Sequence, residues 1–379
     1  MFRSETMHYF DNAATTQICQ PALDTWVKTN EKYYYNTASI HDGGKESTRL
    51  LDTARRQLTN MLGVPTYESV FTSGATEGNN LVIKSMLTKK EVSGNTVLVS
   101  PFEHPSVIDT LKTFKHYNLK YIRATDQGHI DMENFKTLMN DDVVFVSVMA
   151  VNNIIGTVQP IKEIASIVSQ YPKAYFHVDA TQAIGKVNIN YQGVDALSIS
   201  SHKFYGPKGV GAVLFKQKNI LRPLLHGGGH EDGLRSGTVN LPSVAAMVRA
   251  LRETLESKDA VQQRLEGFKS KVLDAFRNHH SIRLQPSDIP HVINMSFIGV
   301  KGEVIVNILS DKNVAVSTTS ACHSNHAKPN ETLLAIGTEQ IAIDGSVRIS
   351  MGMHNTETDV DALIDAINYA LREVSEVLQ

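Results

Sequence analysis

Only two cysteines, Cys19 and Cys322, occur in 379 residues. That is too few for a disulfide framework, so a reducing cytoplasm is the expected setting. No run approaches the roughly 18 apolar residues of a membrane span. The opening Met1-Phe-Arg-Ser-Glu-Thr-Met-His-Tyr-Phe10 also lacks the apolar core of a secretory signal. Acidic and basic residues nearly cancel, at −2 net, which argues against a dedicated nucleic-acid binder. There is no internal repeat and no low-complexity segment. The composition fits a globular enzyme, and its length exceeds one ordinary core, so one large and one small domain are expected.

What is present centres on Ala196-Leu-Ser-Ile-Ser-Ser-His-Lys-Phe-Tyr-Gly-Pro-Lys-Gly-Val-Gly-Ala-Val-Leu-Phe215. An apolar strand, Ala196 to Ile199, delivers Ser200, Ser201, His202 and Lys203 to a turn. Gly206, Pro207 and Gly209 break the chain, and Val210 to Phe215 reads as a second strand. A lysine that leaves a buried strand usually snorkels to water. Held in the protein instead, its amine loses solvation and its pKa falls, which suits a Schiff-base lysine. Upstream, Tyr175 to Val178 forms another strand with Asp179 at its end and Gln182 one turn on. Two neighbouring strands of an α/β sheet would bring Asp179 and Lys203 to the carboxyl edge, where such sheets bind ligands. Pyridoxal phosphate needs both groups, a lysine for its aldehyde and an acid for its ring nitrogen.

The remaining segments follow the same alternation of strands and helices, which predicts a largely parallel sheet with helices on both faces. Tyr9 to Thr16 is a short strand running into a polar turn, and Asn36-Thr-Ala-Ser39 is a loop before a helix from Glu46 to Leu62. At Val70-Phe-Thr-Ser-Gly-Ala-Thr-Glu77 a strand turns into a helix whose first amides and Thr76 hydroxyl can receive a phosphate, or simply cap the helix. A strand from Asn95 ends near His104, with a helix from Pro105 to about His116. Val143 to Val151 is the longest apolar run, a central strand that ends at Asn152 and Asn153. A helix from Pro160 to Gln170 follows. The loop His226-Gly-Gly-Gly-His-Glu231 and its continuation to Thr238 are long enough to reach a partner subunit. Two helices are expected next, Leu241 to Ser257 and Asp259 to about His279. Then come strands at His291 to Phe297, Ala315 to Thr318 and Ser346 to Ser350, a helix from Glu303 to Ser310, and a closing helix from Glu357 to Leu378.

Taken in order, Thr72-Ser-Gly-Ala-Thr-Glu77, Glu103-His104, Asn152-Asn153, His177-Val-Asp-Ala-Thr-Gln182, Ser201-His-Lys203, Arg235-Ser-Gly-Thr238, Ser320-Ala-Cys322 and Val347-Arg-Ile-Ser350 form one pattern. The chain resembles the cysteine desulfurases of the class V aminotransferase superfamily, from Tyr9 to about Val374. The resemblance implies an α/β chain of PLP fold type I, a homodimer, pyridoxal 5′-phosphate as cofactor, L-cysteine as substrate and a sulfur-acceptor protein as partner. It implies a large domain over residues 15–255 and a small one built from 1–14 and 256–379. It also implies roles. Lys203 carries the cofactor and moves the substrate Cα proton, Asp179 pairs with the ring nitrogen, Gln182 bonds the ring hydroxyl, and His104 stacks on the ring. Thr76, Ser200 and His202 hold the phosphate, with Thr238 supplied across the dimer. Asn36, Asn153 and Arg348 receive the substrate carboxylate, and Cys322 takes the sulfur as a persulfide for iron–sulfur or thiolation pathways. Thr37, Ile154 and Thr319 stand where the family usually has proline, glutamate and glycine, and Gln379 falls short of the scaffold-docking extension that some members carry.

A class V aminotransferase is the competing function, sharing the lysine, the aspartate and the phosphate cradle but needing no thiol. Zinc on Cys322, His323 and His326 lacks a fourth ligand. A sulfur-carrying platform without catalysis leaves the lysine–aspartate pair unexplained.

Overall fold

In a computed structural model, the structure describes residues 7–90, 94–217, 220–319 and 330–377. A seven-stranded sheet runs in the order Glu68–Thr72, Gly211–Phe215, Ala196–Ser200, Tyr175–Asp179, Val143–Ser147, Thr96–Val99, Asn118–Tyr121. Gly211–Phe215 is antiparallel to both neighbours, and every other pairing is parallel. All five residues of Val143–Ser147 are buried, as a strand with helices on both faces requires. Asp179 pairs in register with Ser198. The two strands therefore finish together, with Asp179 ending one and Ser200 to Lys203 leaving the other. That edge is where the sequence places the chemistry.

The Ala75–Lys90 helix lies on this sheet through Leu81, Val82, Ile83, Met86 and Leu87, each fully buried or nearly so. Burying a side chain of this kind stabilises the fold by roughly 1.5–3 kcal/mol. The turn that starts the helix is held close to the sheet at Gly211. A Cβ there would lie 2.5 Å from Ile199 O and 2.7 Å from Gly74 Cα.

Where two helices are expected after Leu241, one runs unbroken from Leu241 to Phe276. Glu256-Ser-Lys-Asp259 contains neither glycine nor proline, so nothing stops the hydrogen-bond ladder. Its first half packs Val244, Met247 and Leu251 into the large core, and its second packs Leu265, Val272 and Phe276 into another. This second core includes Phe10, strands Val292–Phe297 and Ser346–Ser350, and the helices Gly302–Asp311 and Glu357–Val377.

The single strand expected from Ala315 to Thr318 is instead two pieces. Val314–Ala315 pairs in parallel with His8–Tyr9, whereas Ser317–Thr318 pairs antiparallel with Ser346–Ser350. Two sheets thus compete for one extended run, and the pairing with the N-terminal segment decides the break.

Candidate active site

The Ala196–Ser200 strand gives way to a single 3-10 turn, Ser201–Lys203. Lys203 Nζ donates to the carbonyls of Ala13 and Ala14, both at 2.7 Å. Loss of solvent, helped by the nearby Arg348 charge, lowers the amine to about 8, with Asp179 and Asp11 acting in opposition. Asp179 is buried and fixed on both oxygens: Asn79 Nδ2 donates to Oδ2 at 2.8 Å, and Thr181 N donates to Oδ1 at 2.9 Å. Gln182 Nε2 donates to the same Ala13 carbonyl at 2.8 Å, and Gln182 Oε1 accepts from Lys186 Nζ at 2.6 Å.

These groups face one cavity of about 600 Å³. The cavity brings together nine of the expected residues: Thr76, His104, Asn153, Asp179, Gln182, Ser200, His202, Lys203 and Arg348. Each wall has a local cause. His104 caps the Pro105–Lys112 helix, its Nδ1 accepting from Ser106 N at 3.1 Å. Its ring is open to the cavity but crowded by the walls, and the resulting loss of solvent lowers its pKa. His202 is lowered further, to about 4, by desolvation and then by Lys203 and Lys208, so it is neutral at pH 7. Arg348 is nearly buried, with Nη2 2.9 Å from Asp11 Oδ1 and Nη1 donating to Asn153 O at 3.1 Å. At the mouth of the Ala75–Lys90 helix, Glu77 Oε2 accepts from Ser73 N at 2.7 Å and Arg235 Nε donates to Oε1 at 2.9 Å. Burial would raise Glu77, but these hydrogen bonds outweigh it and its pKa falls.

Two expected residues stand apart, and a third lies outside the described residues. Asn36 is exposed, its Oδ1 accepting from Ala38 N at 2.8 Å within its own loop. Thr238 lines a separate cavity of about 260 Å³ that shares Ser73 and Gly209 with the first. Cys322, like His323 and His326, lies outside the described residues. The other cysteine, Cys19, is buried, and that burial raises its thiol pKa. Several neighbours carried no sequence signal: the Ala13 and Ala14 carbonyls, Asp11, Asn79 and Lys186. Backbone acceptors, and pairs 100 residues or more apart such as Asn79 with Asp179 and Asp11 with Arg348, have no period to read.

The donor set suits pyridoxal phosphate. A desolvated amine and a carboxylate share the cavity, and a sixteen-residue helix opens on it with first-turn amides that have no partner inside the helix. The buried Thr181 Oγ1 and Arg348 Nε, both on this cavity, have no hydrogen-bond partner among the described residues. The sequence of residues 8–363 matches the model of the aminotransferase class-V family. The chain belongs to that family, and its cofactor is pyridoxal 5′-phosphate.

More particular likenesses run along nearly the whole chain. A NifS/IcsS protein homolog of Lactobacillus delbrueckii subsp. bulgaricus is 37% identical over 380 residues, 98% of this chain and 99% of that one. The cysteine desulfurase IscS of Dictyoglomus turgidum is 32% identical, covering 97% of this chain and 95% of its own. A solved NifS-like protein superposes with a TM-score of 0.88 at 33% identity, covering 98% of this chain and 99% of that one.

Proposed function

We propose that the chain is a cysteine desulfurase that converts L-cysteine to L-alanine and leaves the sulfur on Cys322 as a persulfide. The desolvated Lys203 amine beside the fixed Asp179 carboxylate in one cavity supports pyridoxal chemistry, and what carries desulfuration over transamination is the full-length similarity to cysteine desulfurases. Bound there, pyridoxal phosphate supplies an electron sink that makes the substrate Cα–H acidic. Asp179 is the partner for the ring nitrogen, Gln182 for the ring hydroxyl, and His104 for the ring face. Thr76, Ser200 and His202 are the phosphate ligands. Lys203, its amine lowered by loss of solvent to about 8, is the group that can take the proton from Cα. Arg348 is the fork for the substrate carboxylate, assisted by Asn153 and Asn36. Cys322 as thiolate attacks the substrate sulfur. The Cβ–S bond breaks, a proton replaces sulfur on Cβ, and the enzyme thiol becomes a persulfide, so one L-cysteine yields one L-alanine and one transferable sulfur.

The working unit is a homodimer in which Thr238 serves the partner's phosphate site, a reading supported by its exposed position beside Ser73 and Gly209. The chain divides into a large unit over 15–255 and a small one from 1–14 and 256–379, supported by the apolar cluster that joins Phe10 to Leu265 and Phe276. It works in the cytoplasm and passes sulfur to an acceptor protein for iron–sulfur or thiolation chemistry. Among the described residues no helix is long and apolar enough to cross a membrane.

Alanine and sulfide measured together from L-cysteine and a reductant test the reading, with a one-to-one ratio expected. Cys322→Ser keeps the cofactor band and yields neither product, while Cys19→Ser matches wild type. Full sulfide release by Cys322→Ser would overturn the assignment.

A further inference from the structure

Asn79 sits one turn into the Ala75–Lys90 helix and is fully buried. A helix does not call for an amide there, and burying one costs free energy unless its hydrogens find acceptors. Both do. One Nδ2 hydrogen goes to Asp179 Oδ2 at 2.8 Å and the other to Ser106 Oγ at 2.9 Å, while Oδ1 is buried with no partner among the described residues. Ser106 Oγ in turn lies 2.8 Å from His104 Nδ1, which also accepts from Ser106 N at 3.1 Å.

The donors and acceptors give this chain a direction. An ionised carboxylate only accepts, so Asn79 meets it with its NH₂ group. Ser106 Oγ receives the second Asn79 hydrogen and has one hydrogen of its own to give. His104 Nδ1 is the acceptor within reach. With two donors aimed at it, Nδ1 keeps its lone pair, and the neutral ring carries its proton on Nε2.

We propose that Asn79 is a positioning residue that joins Asp179 to His104 through Ser106, holding the His104 ring as its Nε2–H tautomer and opposing protonation at Nδ1. His104 then lines the cavity as a neutral ring whose Nε2–H is free to donate, and proton removal stays with Lys203. The inference rests on the cofactor site assigned above, but the geometry exists without ligand. The charged groups acting on the His104 ring are Asp179 and Lys203 from the neighbouring strand ends and Asp109 from its own helix. Loss of solvent lowers its pKa most, Lys203 adds to that, and the two carboxylates oppose it.

The test uses cofactor-free protein labelled with [15N]histidine, with the His104 signal assigned by its loss in His104→Gln. Two-bond proton–nitrogen correlations read the tautomer, and a titration reads the midpoint. Wild type should show the Nε2–H pattern. Asn79→Ala leaves the Ser106 hydroxyl free to turn and accept, so the midpoint should rise by about one unit, the worth of one hydrogen bond. Ser106→Ala removes the donor itself and should raise it equally, which carries the test if Asn79→Ala folds poorly. Because both act on one link, the double variant should shift no further. In the loaded enzyme Asn79→Ala should lower kcat on the order of tenfold with KM changed less than about twofold. An Nδ1–H tautomer in wild type, an unmoved midpoint in either variant, or additive shifts would overturn the proposal. The titration needs neither cofactor nor substrate, so its failure is distinct from failure of the desulfurase reading, which the alanine and sulfide assay decides.

Discussion

Lys203 and Lys186 are both held inside the protein, and both amines are lowered by loss of solvent, to about 8 and about 7. Lys186 is the more buried and the more shifted. Yet Lys203 opens on a cavity of about 600 Å³ with Asp179 in its wall, whereas Lys186 faces a space of about 10 Å³ and is tied to Gln182 Oε1. A depressed amine therefore does not mark a reactive lysine by itself. Room for a ligand and a carboxylate placed to share it make the difference.

The sharpest way to break this contrast is to remove each amine in turn. Lys203→Ala should lose the visible band of the bound cofactor and turnover by about 10⁴-fold or more. Lys186→Met should keep the band. If Lys186→Met lost the reducible cofactor adduct and Lys203→Ala retained it, the two lysines would have to exchange roles.

A smaller effect should follow from weakening the partner that sets Lys203 apart. Asp179→Asn keeps the shape of the side chain and its contact with Thr181 N, but removes the charge. Turnover should fall by about 100- to 1000-fold, and the cofactor-free protein should stay folded but melt somewhat lower, because the new amide meets the buried Asn79 Nδ2 donor to donor. Wild-type rates in that variant would mean that the carboxylate does not serve the ring nitrogen.

The same contrast explains what the sequence discloses. Lys203 and Asp179 are legible because each ends an apolar strand run, and a strand end is a local pattern. The parallel sheet is legible for the same reason, since Val143–Ser147 is apolar throughout but for its last residue, Ser147. Lys186 is not, because Ala183-Ile-Gly-Lys186 reads as an ordinary turn and the residues around it, Tyr205, Thr254, His291 and Met353 among them, come from distant segments. The break between Ala315 and Ser317 is hidden likewise, because His8–Tyr9, some 300 residues away, supplies the competing partner. The uninterrupted Leu241–Phe276 helix was open to a better reading: residues 256–259 hold no breaker, and a polar stretch is not a stop signal. Asn36 and Thr238 match motifs, but the single chain leaves both outside the cavity that holds the other nine.

The smallest effect on turnover, and the most diagnostic for Lys186, lies in how stability varies with pH. In the folded protein loss of solvent lowers its amine to about 7, against an ordinary 10.5. Between those values the unfolded chain binds a proton that the folded chain does not, so stability rises with pH across that window. Below about pH 7 the ammonium is buried without a carboxylate partner among the described residues, and the full penalty of a few kcal/mol applies. Lys203, lowered to about 8, adds a slope of the same sign over a narrower range. Lys186→Met should therefore flatten the rise without abolishing it, gaining stability relative to wild type at pH 7 and losing most, but not all, of that advantage by pH 9.5. Turnover should fall only a few-fold, because Gln182 loses one hydrogen bond but keeps Ala13 O. Melting temperatures of both cofactor-free proteins from pH 7 to 9.5 give the measurement, and the difference between the two curves isolates Lys186 from every other titrating group. Parallel curves would show that Lys186 keeps an ordinary lysine pKa in the folded state, and the contrast with Lys203 would then rest on cavity geometry alone.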